Sequence, residues 1–542
     1  MKKKMLPKLQ CADTTNKIQL SFLHLKDLLV RNNTFNFIMT NYIFLCIVYT
    51  MFISNILTNT HDGLWNSDGY SLSVAFDVAT GRWLTPLFMK LKLCFAPEPI
   101  NTLISLLLVS FLSFLIIDIF NQINVFGRFV AFIISLSATF TAQMAYSYMS
   151  QAFLIAEFSA ILSIWILIKF NAWHKYLISI VLLVIALSFY QGALACYTIV
   201  FVFYAMDTFV NKCKNDKNIK DLLSFIIVAA ISCVLYFFIW TLVCNVMRIE
   251  KSSYMGANSL NIIDMIKSIP DIVKIVYNSF YTFILKGGVI RQNPFIETVA
   301  SKVLIVGYIM LLLMVPIVKL FKDNKIIIPI YLGLFLISPL LCNPQKFLAV
   351  SSEILPQISI GYTLYFPLSL LFLMHCFLSE LQVNAIGKLK KVLYVFLILV
   401  FLSRGFQISI DFYTMYKTRE TSVNIMNLVA KRIIDDDIYS SEYNYVFLGR
   451  PYDNALFRKA SIYNYANHQF LVGRYYQIPI GWLGGYRGIL NYYMGLDLKF
   501  DNDIYVWVFN RNQAGEFSNL EAFPSKNCYV LEGNTVIFKI SN

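Results

Sequence analysis

The chain has 542 residues, a mean hydropathy of +0.61, 58% hydrophobic side chains and only 14% charged ones. A soluble protein of this size could not bury so much apolar surface, so composition excludes a soluble globular domain and calls for a bilayer as solvent. The formal net charge of +14 would suggest a nucleic-acid partner in a soluble chain. Here the basic residues gather in short connections between apolar runs, where they report orientation and not nucleic acid.

Residues 1–34 read as a cytoplasmic arm. Met1-Lys2-Lys3-Lys4 is not followed promptly by the apolar stretch of a cleavable signal, so the first span is expected to act as an uncleaved anchor. Ile18, Leu20, Leu23, Leu25, Leu28 and Leu29, interleaved with Lys26 and Arg31, predict an amphipathic helix on the inner surface. Apolar runs long enough to cross about 30 Å of hydrocarbon begin near Phe35, Ile100, Phe129, Gln151, Tyr176, Gly192, Leu222, Val303, Ile326, Gly361 and Val392. They make residues 35–410 an all-α polytopic membrane core of about eleven transmembrane helices. The basic connections Lys212 to Lys220, Lys319 to Lys325 and Lys388 to Lys391 fall on the same side as the N-terminal lysines, which predicts a cytoplasmic N-terminus and an extracytoplasmic C-terminus.

The opposite side carries two long segments, residues 59–98 and 245–300, and a shorter one from Cys342 to Ile360. Residues 411–542 lose the long apolar runs and predict a small α/β extracytoplasmic domain. Ser422–Ile434 reads as an amphipathic helix; Tyr443–Leu448, Ile504–Phe509 and Cys528–Leu531 read as strands, the last turning at Glu532-Gly533-Asn534 into a hairpin through Lys539. Ten cysteines without a CxxC pair support neither a zinc site nor a disulfide framework, although Cys94 and Cys528 fall on one side and a bridge between them is conceivable. No internal repeat supports an inverted-repeat transporter.

Chemistry concentrates after the first span. His61-Asp62-Gly63-Leu64-Trp65-Asn66-Ser67-Asp68-Gly69-Tyr70, then Phe76-Asp77, then Thr80-Gly81-Arg82-Trp83-Leu84-Thr85-Pro86 gather acids, a His and an Arg among aromatics suited to sugar rings. The plain alternative is an interfacial loop whose Trp and Tyr mark the headgroup level and whose acids are solvated. On its residues alone Asp68 is equally an N-terminal helix cap, and Arg82 equally a snorkelling anchor.

An acidic loop directly after the first span, followed by Gly81-Arg82-Trp83-Leu84-Thr85-Pro86, resembles the serotype-converting polytopic membrane glucosyltransferases of the glucosyl transferase II family. Tyr146-Ser147-Tyr148-Met149-Ser150-Gln151, Ser188-Phe189-Tyr190-Gln191-Gly192 and the closing Phe523–Lys539 hairpin agree in order. Where neighbouring acids are expected, this chain has Asn66-Ser67-Asp68. The resemblance implies a GT-C type enzyme of the bacterial inner membrane. It would move glucose or a related hexose, with inversion, from an undecaprenyl-phosphate carrier to a surface polysaccharide such as O-antigen.

Outside the cytoplasm no nucleotide pool exists, which suits a lipid-borne donor. Transfer then needs a base for the acceptor hydroxyl, cations for the departing phosphate, and walls for the sugar. Asp68 is the expected base and Asp62 the second candidate. Arg82 is the expected phosphate ligand, because a guanidinium matches phosphate oxygens in bidentate fashion. Lys286, Arg291 and Arg404 are further cations for the phosphate. Trp65, Asn66, Tyr190, Gln191 and the intramembrane Glu157 are expected at the substrate, with a structural hydrogen bond the alternative for Glu157 and helix-end capping for Tyr190 and Gln191. No metal-ligand set is recognised, and a divalent ion, if used, would fall to Asp62 and Asp68. A transporter or flippase, or a polymerase, of lipid-linked oligosaccharide is the competing class; the gathering of charge at one outer face favours the transferase.

Overall fold

The computed structural model describes residues 33–55, 57, 74–93, 97–146, 148–211, 216–252, 262–286, 299–347, 358–380, 383–459 and 483–542. The helices in chain order are α1 (Asn33–Val48), α2 (Thr50–Asn55), α3 (Val74–Ala79), α4 (Leu84–Leu91), α5 (Ile100–Ile119), α6 (Val125–Ser135), α7 (Ala138–Met144), α8 (Ser150–Lys169) and α9 (His174–Phe189). A single 3-10 turn, Gln191–Ala193, leads into α10 (Leu194–Asn211), followed by α11 (Asp216–Met247), α12 (Ile262–Lys286), α13 (Val299–Asp323), α14 (Ile328–Leu341), α15 (Ile360–Glu380) and α16 (Val383–Asp435).

Every apolar run named above begins within one of these helical segments, except that from Ile326, which begins in the 3-10 turn Lys325–Ile327 leading into α14. Among the described residues, seven helices are long and apolar enough to cross a membrane, and the apolar helices Asn33–Val48, Val125–Ser135, His174–Phe189 and Lys325–Leu341 are shorter. The run from Phe129 is broken because Ser137 turns the chain: its Oγ accepts from Phe140 N (3.2 Å) and starts α7. α5 begins under Glu98, whose carboxylate accepts from the Thr102 amide (3.1 Å) and hydroxyl (2.6 Å), offsetting amides that a helix start leaves bare.

The helices share one continuous apolar core from Phe37 to Met415. Several charged side chains inside it are paired, which offsets the cost of a low dielectric. Asp207 on α10 is fully buried; its Oδ1 lies 2.9 Å from His375 Nδ1 on α15 and accepts from Asn211 Nδ2 (2.7 Å). Lys319 on α13 donates to Asn211 Oδ1 (2.5 Å). That network pins three helices together. Lys169 and the Trp165 indole on α8 both donate to Asp118 on α5, at 3.0 and 2.7 Å.

α16 runs 53 residues without a break, about 80 Å at 1.5 Å per residue, and so extends well past the hydrocarbon. The amphipathic helix expected at Ser422–Ile434 is its far end. There Ile425, Met426, Val429 and Ile433 leave the membrane core and join a second one with Tyr445, Phe447, Leu490, Val536 and Phe538. Three strands cross this region: β1 (Asn444–Leu448), β2 (Tyr529–Glu532) and β3 (Thr535–Lys539), in the order β1-β3-β2. β3 pairs parallel with β1 and antiparallel with β2, and Gly533 takes φ +56° in the connecting turn. As the central strand, Val536-Ile537-Phe538 is buried on both faces, which explains its unbroken apolar run.

One expected strand is a helix instead. Ile504–Phe509 lies inside α17 (Asn502–Gln513), because Asp501 Oδ1 accepts from the amides of Asp503 (2.9 Å) and Ile504 (3.1 Å). Val508 and Ile504, one turn apart, then pack on Val446, Leu448 and Ile537 of the sheet. The cap and the tertiary contact outweigh β-propensity. Cys528 is a buried free thiol, and its suggested partner Cys94 lies outside the described residues.

Candidate functional site

The segment after the acidic loop is built as a helix end held by two other helices. α3 closes at Gly81: Gly81 N donates to Val78 O (3.0 Å) and Arg82 N to Asp77 O (2.8 Å), with Gly81 at φ +87°. This is the Schellman arrangement, in which a glycine takes the left-handed conformation that L side chains resist. It leaves carbonyls of the last turn needing donors.

Those donors come from far along the chain. The Trp240 indole N–H on α11 donates to Val78 O (2.7 Å), and the Tyr236 hydroxyl, one turn earlier, donates to Gly81 O (3.1 Å). Gln191 Nε2, in the turn between α9 and α10, donates to Thr80 O (2.9 Å) and to the Tyr236 hydroxyl (2.7 Å). Ser252 N, just past α11, donates to Ala79 O (3.0 Å). Tyr236 and Trp240 stack at 6.0 Å and 25° and form a small apolar cluster with Val78, Leu187 and Cys244. Four consecutive carbonyls, Val78 to Gly81, are thus all taken, each bond contributing about 1 kcal/mol net.

This clamp presents Arg82. Its guanidinium lies 5.4 Å from the Tyr190 ring centroid, and Tyr190 in turn packs edge-on against Phe153 of α8 at 4.6 Å. Among the described residues Arg82 Nε is buried without a hydrogen-bond partner, as is the neighbouring Trp83 indole Nε1. Neither residue has an ion pair among the described residues. Buried donors in native structures are almost always satisfied, so these two, like the buried donors of Thr208, Asn343 and Tyr362, are open to an acceptor.

Asp77 is buried on the same turn, and burial pushes its carboxyl up from 3.8 to about 6, against the opposing pull of the Arg82 charge. The unfolded chain therefore ionises first. Stability from this group is greatest below about pH 4, falls as pH rises to about 6, and stays lower by roughly 2–3 kcal/mol above that. Asp77→Asn is expected to flatten this dependence and raise the unfolding temperature at about pH 8. Thermal scans in detergent across that range check it, and an unchanged slope would mean that Asp77 does not carry the dependence.

The structure brings Arg82, Tyr190 and Gln191 together. Gln191 binds backbone and the Tyr236 hydroxyl. Glu157 lies one turn beyond Phe153 on α8, 1% exposed, and accepts from Gln143 Nε2 of α7 (2.6 Å), with its Oε2 unpartnered among the described residues. Arg404 sits on α16, away from the clamp in sequence, and donates to Gln407 Oε1 (3.2 Å). Lys286 ends α12. Asp62, Trp65, Asn66, Asp68 and Arg291 lie outside the described residues.

Sequence reasoning missed Tyr236, Trp240 and Lys92. Lys92 follows α4; its ammonium donates to Asn101 Oδ1 (2.7 Å), and burial pulls it down to about 8 against the charge of Glu98. The only signal for Trp240 was an aromatic near a helix end, which the interface alone explains. Among the described residues no group of three His, Cys, Asp or Glu could hold a metal ion.

No curated protein and no solved structure matches the chain. The family model of glucosyl transferase GtrII matches residues 51–344, more than half of the chain and including the clamp, so the protein belongs to that family and is a membrane glucosyltransferase.

Proposed function

We propose that the enzyme takes glucose or a related hexose from an undecaprenyl-phosphate carrier at the outer face of the inner membrane and adds it to a surface polysaccharide. The acceptor hydroxyl attacks the anomeric carbon from the side opposite the phosphate. Its proton passes to the Asp68 carboxylate, a new glycosidic C–O bond forms, and the bond from carbon to phosphate oxygen breaks. The carrier phosphate leaves with the electron pair, and the configuration inverts. Asp62 is the alternative base. Arg82 meets the charge growing on the phosphate, and Tyr190 walls the site.

The observation that supports this reading is the buried Arg82 Nε, left without an acceptor among the described residues beside the Tyr190 ring. A guanidinium supplies a planar fork for phosphate oxygens, and the clamp on Val78 to Gly81 fixes the main chain that carries it. The N-terminus inside and C-terminus outside follow in this reading from the basic connections.

The test uses full-length protein in lipid nanodiscs with polyprenyl-phosphate glucose and purified surface polysaccharide, read by mass of the glycan. Transfer is expected from the carrier-linked donor and not from a nucleotide sugar. Arg82→Lys is expected to raise the donor KM about 10- to 30-fold, the loss of one charge-assisted hydrogen bond. Use of nucleotide sugar with no need for the carrier would overturn the proposal.

A further inference from the structure

Arg82 is not the only cation at the clamp. Ser252 N binds Ala79 O, and this return of the chain carries Lys251 to the same turn from the far end of α11. Its ammonium lies 4.7 Å from the Trp240 ring centroid and donates to Thr241 Oγ1 at 2.7 Å. No ion pair engages it among the described residues, and it is half-buried. An ammonium has three donors, and among the described residues one is used.

Placement gives this meaning. Trp240 and Tyr236 form the stacked pair that grips Val78 and Gly81. Lys251 lies over the Trp240 end of the pair, and Arg82 follows Gly81 at the Tyr236 end. Two cations with no ion pair among the described residues thus flank one aromatic pair. The stripe of α11 that carries Thr241 is open to lipid, with Ile227 56%, Val234 69% and Phe237 38% exposed. An isoprenoid chain lying along that flank would bring its phosphate to headgroup level at the outer end of α11.

We infer that Lys251 is a second phosphate-binding cation, receiving the lipid-borne phosphate on the lipid-facing side of α11 and sharing it with Arg82. This rests on the carrier-dependent reading above. The ligand chemistry is a phosphate ester on a lipid, which either the carrier or a bulk anionic lipid supplies, and the inference commits to the carrier.

Polyprenyl phosphate without sugar is titrated onto full-length protein in phosphatidylcholine nanodiscs, and repeated with phosphatidylglycerol added. Lys251→Gln is expected to weaken binding at least about 10-fold and to raise the donor KM by a similar factor with kcat within about 3-fold, as loss of ground-state binding requires. Lys251→Arg, which keeps the charge, is expected to restore binding to within about 3-fold. Phosphatidylglycerol should leave wild-type binding unchanged; competition by it would assign Lys251 to bulk headgroups and overturn the inference. Equal binding by wild type and Lys251→Gln would remove Lys251 while leaving the donor reading intact. Failure of the wild type to bind polyprenyl phosphate at all would instead strike the donor reading itself.

Discussion

Replacing Asp68 by Asn is expected to lower hexose transfer by about 10³-fold, the size of a lost general base, while the amount and unfolding temperature of the protein stay at wild-type values. Asn matches Asp in size and caps helices equally well. The substitution therefore keeps any structural role of this side chain and removes only its capacity to take a proton. Single-turnover transfer from carrier-linked glucose measures the effect. Asp62→Asn is expected to cost less, and the reverse ranking would exchange the two residues. Full activity of the Asp68 variant would take it out of the mechanism.

The second large effect is expected at Gly81. An alanine there would hold φ at +87°, costing roughly 1–2 kcal/mol, and its Cβ would stand 2.2 Å from the Tyr236 hydroxyl and 2.5 Å from Gln191 Nε2. Neither atom is free to yield, because both bind the turn that the methyl would displace. The clamp must open, and Arg82 moves with it. A displacement of about 1 Å in a positioning element lowers turnover about 10²-fold, so Gly81→Ala is expected to lose about that much in kcat/KM. Gly307 offers the control: no atom lies within 4 Å of an added Cβ, and Gly307→Ala in mid-helix should be neutral or slightly stabilising. Transfer and thermal unfolding on the two variants decide it. A fully active Gly81→Ala protein would show that the clamp does not position the site.

Much of this protein could be read locally. Each apolar run predicts a helix, because in lipid a backbone must satisfy its own hydrogen bonds. Glu532-Gly533-Asn534 announces the closing hairpin, whereas the pairing of its second strand with β1 and the glycine closure at Gly81 emerge only from the fold. Ile504–Phe509 went the other way, since its aromatic and β-branched residues favour a strand and only the Asp501 cap and packing on Val446 and Leu448 make it helical. Arg82 stood out as a cation beside aromatics. Gln191 did too, but as a residue for sugar, and not for Thr80 O and the Tyr236 hydroxyl.

By itself, then, the sequence determined a helical membrane protein and the family to which its motifs point, because hydropathy, turn residues and short motifs act over a few neighbouring positions. Only the tertiary structure decided that Tyr236, Trp240 and the Ser252 amide converge on a turn more than 150 residues earlier. The bonds that join them end on backbone carbonyls, which every residue possesses, so no pattern of side chains could announce them.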